Sequence, residues 1–168
     1  MKNILCLLVL PLIVFSCSSE VNPKKSTGFI EFKINGEQKR FEGTPYYAIH
    51  TSSGRKLISF KATETNDPNS AIFSAGIEDP EEVQVGDYNS VFQGYAPPRP
   101  SVNAGFEDNP KNISYGTAYN DPDKAIFYMK VSYIDNERIE GTFYGKFTNE
   151  NNLNELIDIS EGKFEFRP

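Results

Sequence analysis

Ile139-Glu140-Gly141-Thr142-Phe143-Tyr144-Gly145-Lys146-Phe147 decides the fold class. Ile139, Gly141, Phe143, Gly145 and Phe147 fall on one side of an extended chain. Glu140, Thr142, Tyr144 and Lys146 fall on the other. A strict period of two is the pattern of a strand with one face in a core and one in water. Just upstream, Phe127, Met129, Val131 and Tyr133 repeat that period, and Asp135-Asn136 turns one strand into the next. Downstream the parity breaks. Ile157 and Ile159 are odd, whereas Phe164 and Phe166 are even, so strict alternation cannot put all four on one face. A bulge is therefore expected near Glu161-Gly162, with the glycine taking positive φ. The Asn-rich run 149–154 reads as a loop.

The rest of the chain follows the same grammar. Residues 29–34 alternate, Asn35-Gly36 is the strongest short hairpin signal, and 37–41 return. Residues 46–51 and 56–63 form a second hairpin around Ser53-Gly54. Asn66-Asp67-Pro68-Asn69 is a turn, 71–77 a strand, 78–82 an acidic loop, and 83–88 a short edge strand with a glycine kink. Residues 113–119 are a further strand. With 13 Phe and 9 Tyr among 168 residues, this predicts an all-β domain with an aromatic core. The expected architecture is an antiparallel β-sandwich of about eight to ten strands over residues 27–168, with a calycin-like β-barrel as the alternative.

The first residues belong to something else. Ile4 to Phe15 is apolar, broken only by Pro11, and follows a single lysine. That is the length of a signal-peptide core and too short to cross roughly 30 Å of hydrocarbon. Val14-Phe15-Ser16-Cys17 resembles the lipobox of bacterial lipoprotein signals. The resemblance implies removal of residues 1–16 and a lipid on Cys17, with 17–26 as a polar tether. The membrane would then be a partner through the lipid anchor.

Composition removes several kinds of chemistry. The chain carries a formal net charge of −6, and losing Lys2 with the signal makes it −7. An acidic domain is a poor partner for nucleic acid. Cys6 leaves with the signal and Cys17 would be thioether-linked, so no thiolate nucleophile or disulfide is expected. His50 is the only histidine. Structural zinc sites built from Cys and His, the HExxH motif, the G-x-S-x-G elbow and Gly-rich phosphate loops are all missing. No metal or cofactor is expected. His50 shares a strand face with Tyr46 and Ala48, where a base is the sharper reading and a structural side chain the plainer one. Among 23 acids no spacing singles out a catalytic pair, so the chain reads as a non-enzyme.

Residues 94–112 differ in kind. They hold Pro97, Pro98, Pro100 and Pro110 with little periodicity, and long loops in compact domains are commonly functional. The candidate ligand-binding residues are this loop and its borders: Phe92, Tyr95, Arg99, Phe106, Tyr115 and Tyr119. Their aromatic faces and guanidinium suit a sugar or a peptide. The competing reading folds the aromatics onto the core and uses the prolines to blunt a sheet edge. An internal echo also stands out. Asn66-Asp67-Pro68-Asn69-Ser70-Ala71-Ile72-Phe73 nearly repeats as Asn120-Asp121-Pro122-Asp123-Lys124-Ala125-Ile126-Phe127, each copy reading as strand, turn, strand. Asp67, Asp121 and Asp123 offer oxygen ligands for calcium, but the EF-hand spacing is absent and tight turns use the same residues.

Several motifs together resemble the small lipoproteins of unknown function common in Bacteroidota. They are Phe15-Ser16-Cys17-Ser18, Ile34-Asn35-Gly36, Ile139-Glu140-Gly141-Thr142-Phe143-Tyr144-Gly145, and Ile159-Ser160-Glu161-Gly162-Lys163-Phe164-Glu165-Phe166. The resemblance implies an outer-membrane, lipid-anchored β domain. Its expected role is a non-catalytic binding or accessory module for a glycan or peptide. The alternative is a structural envelope protein with protein partners only, and a hydrolase is the third reading. Periplasmic and cell-surface faces stay open.

Overall fold

The computed structural model describes residues 26–52, 55–90, 100–117 and 126–167. Eleven strands run in chain order: β1 Thr27–Ile34, β2 Glu37–Phe41, β3 Gly43–Ser52, β4 Arg55–Thr63, β5 Ile72–Asp79, β6 Gly86–Asn89, β7 Ser101–Asp108, β8 Ile113–Gly116, β9 Phe127–Ile134, β10 Ile139–Asn149 and β11 Asn152–Arg167. One 3-10 turn, Asn109–Lys111, joins β7 to β8, and no α-helix occurs among the described residues. None of the described helices is therefore long and apolar enough to cross a membrane.

Pairing is antiparallel throughout, in the order β2-β1-β11-β10-β8-β7-β5-β4-β3, and the path does not close. The sheet forks at β10. Residues 139–145 of β10 pair with β9, which carries β6 on its far side, whereas Thr148 and Asn149 pair with β8. β8 and β9 thus lie in tandem along one edge of β10. The two parts of the sheet fold face to face over a continuous aromatic core. Phe32 on β1 meets Phe73 on β5 at 4.9 Å, Phe143 on β10 meets Phe73 at 5.1 Å, and Phe60 on β4 stacks on Phe164 of β11 at 4.7 Å. These are the separations at which ring pairs attract beyond their area burial. The all-β sandwich expectation holds.

The hairpin signal is borne out in detail. Asn35 and Gly36 have φ of 50° and 89°, the double positive φ of a type I′ turn, and β1 and β2 flank them directly. The parity break is borne out as well. Pairing with both β1 and β10 slips around Ser160–Gly162. The residue with positive φ is Glu161, at 53°, and not the glycine expected there. Gly162 serves another purpose. It lies opposite Phe143, and a Cβ on it would sit 2.4 Å from that ring. Gly141 lies opposite Phe164 in the same way, and Gly28 opposite Phe166. Each of these phenylalanine rings lies across a bare glycine backbone on the neighbouring strand.

Three expectations need correcting. The stretch read as a loop contains β7, which brings the strands among the described residues to eleven. Val102, Ala104 and Phe106 alternate into the core there, while Pro100 and Pro110 only flank the strand. The Asn-rich run is a two-residue turn between β10 and β11. The echo is not a repeated hairpin either. β4 pairs with β5, but β8 and β9 each pair with β10 and not with each other. The turn at 120–123 lies outside the described residues.

Candidate functional site

The site is assembled where the β1–β2 hairpin, the turn leaving β4 and the 3-10 turn after β7 converge. They surround a cavity of about 500 Å³ at one end of the sandwich. β7 and β8 supply its floor. Phe106 and Tyr115 are cross-strand partners, and their rings stack at 6.1 Å with 17° between planes. Phe41, Ile34, Ala71 and Ile157 complete the apolar part. The rim is charged: Glu37 and Lys39 from β2, Glu64 after β4, and Asp108 and Lys111 around the 3-10 turn.

The rim charges hold one another. Lys39 Nζ lies 2.9 Å from Glu37 and 3.8 Å from Glu64, and Lys111 Nζ lies 2.7 Å from Asp108. The Lys39 hydrogen bond lowers the Glu37 carboxyl below its ordinary range, and the same bond raises Lys39. On the other side of the floor, the Tyr115 hydroxyl donates to the exposed Glu155 Oε1 at 2.8 Å, and Asn149 Nδ2 donates to Glu155 Oε2 at 3.0 Å. Burial first, and then the Glu155 carboxylate, push Tyr115 up to about 12. Tyr115 is therefore a neutral donor locked onto Glu155, with its ring fixed beneath the cavity.

Of the six sequence candidates, Phe106 and Tyr115 are brought together as this floor, both nearly buried. Their rings face the core and wall the cavity at once, so the plainer reading holds for most of their surface. Phe92, Tyr95, Arg99 and Tyr119 lie outside the described residues, as does Cys17. The rim residues Glu37, Lys39, Glu64, Asp108 and Lys111 were not anticipated. They come from three separate segments, β2, the turn leaving β4 and the 3-10 turn after β7.

His50 lies exposed on β3, away from this cavity. Asp67 Oδ1 accepts the Asn69 backbone N–H at 2.9 Å, which closes an Asx turn. Among the described residues no three or more His, Cys, Asp or Glu side chains group as metal ligands. Among the described residues the cavity lining holds no Ser, Thr, Cys or His. What it offers is an apolar floor with paired charges and amide groups above it. Comparison with protein-family models, curated proteins and solved structures finds no match to this chain.

Proposed function

We propose that this protein is an envelope module, anchored to the outer membrane by a lipid on Cys17, that binds a small amphipathic ligand without transforming it. The observation that carries the reading is the cavity over Phe106 and Tyr115. Its volume of about 500 Å³ lies in the range of small-ligand sites, which are concave and combine apolar walls with a few polar groups. The stacked floor suits the flat apolar face of a sugar or an apolar peptide side chain. The Lys39 and Lys111 ammonium groups and their carboxylate partners suit hydroxyl, amide or ionic groups at its edge. The rim carboxylates are held in ion pairs with Lys39 and Lys111, which favours binding over hydrolysis.

The test is a glycan array and a peptide array probed with the full chain, alongside a Lys39→Ala/Lys111→Ala double variant. Both lysines are in surface ion pairs with one solvent-exposed member each, which contribute about 0–1 kcal/mol each, so the fold is retained. A retained ligand whose affinity falls tenfold or more in the double variant supports the reading. Failure of every array member, or equal binding by the variant, overturns it. Anchoring is tested separately: Cys17→Ser removes incorporation of labelled palmitate and releases the protein from the membrane fraction.

A further inference from the structure

Among the described residues the open sheet path ends on β2 and β3, and its branch ends on β6. An unpaired edge invites another strand, and proteins ordinarily blunt it with charge, proline or brevity. β2 does so with Glu37, Lys39 and Arg40, all ion-paired, in only five residues. β6 is four residues long and carries Asp87. β3 runs for ten residues without a single Asp, Glu, Lys or Arg, and its one proline, Pro45, is near the start. The Tyr47 N–H points away from β4 and is taken by Ser26 Oγ at 3.3 Å. Antiparallel alternation then turns the N–H and C=O groups of Ile49 and Thr51 outward as well.

A second cavity, of about 450 Å³, opens beneath this edge. Ile49, Ile58, Val83, Val85 and Ile134 wall it, and Ile49 and Val85 are 52% and 60% exposed, high for apolar side chains that share one hollow. Tyr47, two residues from Ile49 on the same face of β3, is 6% exposed, and its hydroxyl has no hydrogen-bond partner. Burial, then the carboxylate of Asp135 in the cavity wall, raises that phenol. The polar lining is Lys56, Glu82, Gln84, Asp135 and Asn136, and the acidic run Glu78-Asp79-Pro80-Glu81-Glu82 borders it.

We infer that the outer edge of β3, over residues 48–52, adds an extended basic peptide strand from a partner protein, with its alternate apolar side chains seated in this cavity. The main-chain groups of Ile49 and Thr51 supply the ladder, the cavity supplies side-chain selection, and the acidic border sets the charge of the partner. A second copy of the chain fits less well, because β3 brings no lysine or arginine to those carboxylates. This surface is separate from the cavity over Phe106 and Tyr115 and does not depend on its ligand.

The test uses the full chain and a fluorescein-labelled octapeptide of alternating Lys and Val, with the alternating Glu and Val peptide as control. Anisotropy measures binding, and backbone amide NMR maps it. The expected result is binding of the Lys peptide alone. The Ile49 and Thr51 amides would shift and become protected from exchange, with accompanying shifts at Val85 and Ile134. Ile49→Pro removes an outward donor, and Ile49→Lys keeps the backbone but places a cation at the cavity wall. Each should weaken binding at least tenfold, whereas Lys39→Ala/Lys111→Ala leaves it unchanged. Shifts that map away from β3, equal binding of the Glu peptide, or a concentration-dependent dimer abolished by Ile49→Lys would each overturn the proposal.

Discussion

Gly162→Ala tests the packing logic of the core most directly. A Cβ at this position would lie 2.4 Å from Phe143 Cδ2, 2.5 Å from Cε2 and 2.5 Å from the Phe143 carbonyl oxygen. Favourable carbon contacts lie near 3.5–4.0 Å, so the ring would have to retreat by more than 1 Å. It has nowhere to go. Phe32, Phe73 and Phe127 surround it with ring centroids at 5.7, 5.1 and 5.6 Å. Adding one methyl to a filled core costs about 1–3 kcal/mol. Losing glycine's freedom in the unfolded chain returns about 0.4–1 kcal/mol. The contact with a backbone oxygen, which cannot swing aside, puts the first figure toward its upper end, so the net loss is about 2 kcal/mol. In urea, with a slope of about 2 kcal/mol/M, the midpoint falls by about 1 M at unchanged slope. Gly86→Ala is the control. Its Cβ would meet nothing within 4 Å and its φ is ordinary, so the midpoint stays or rises slightly. Equal stability of Gly162→Ala and the parent, or equal losses in the two variants, would refute the reasoning.

Other expectations are briefer. Gly36→Ala also has open space around its Cβ, but φ is +89°, so it should cost about 1–2 kcal/mol through backbone strain alone, read as a urea-midpoint shift without a change in core NMR signals. Tyr115→Phe leaves the Glu155 carboxylate with Asn149 as its remaining side-chain donor and should cost about 1–2 kcal/mol. Because the folded pKa of Tyr115 is raised to about 12, its contribution is complete below pH 10 and is lost as pH climbs from 10 toward 12. An absorbance titration at 295 nm should show a component near pH 12 that vanishes in Tyr115→Phe. Protease treatment of intact cells, with lysed cells as control, tests the proposed anchoring at the outer membrane: digestion before lysis would place the domain outside, and protection until lysis would place it within the envelope.

What could be read from the sequence was whatever a short window determines. Asn35-Gly36 specifies its turn by backbone geometry alone, and the returning strand expected over 37–41 is β2. The parity conflict between Ile157, Ile159 and Phe164, Phe166 located the bulge, because two residues on the wrong side of a pleat must be reconciled somewhere between them. The identity of the left-handed residue was not legible. It depended on Phe143, on another strand, needing the space above Gly162. β7 was hidden because its core side chains are only Val102, Ala104 and Phe106, set among prolines that mark its ends. The false hairpin in the echo has a similar cause: the turn motif is local, but the partner of β8 and β9 is β10, and nothing near residues 113–127 announces it. The cavity rim was invisible because Lys39, Glu64 and Asp108 are remote in sequence and meet only when three connections converge.

The reciprocal Gly–Phe contacts also bear on what the motifs mean. In Ile139-Glu140-Gly141-Thr142-Phe143 and Glu161-Gly162-Lys163-Phe164, Gly141 faces Phe164 and Phe143 faces Gly162. Each segment supplies the bare backbone that the other's ring requires, so neither can change alone without opening a gap or forcing a collision. The spacing of glycine two residues before phenylalanine on both strands follows from that exchange in an antiparallel register. In this chain these motifs therefore serve the packing of β10 on β11. It fixes the sandwich and is silent about ligands, since every atom involved is inside. Specificity has to come from segments that the ladder leaves free to vary. In this chain those are the charged connections around the cavity at one end of the sandwich and the uncharged edge of β3, and these are where sequence change would alter binding while leaving the fold intact.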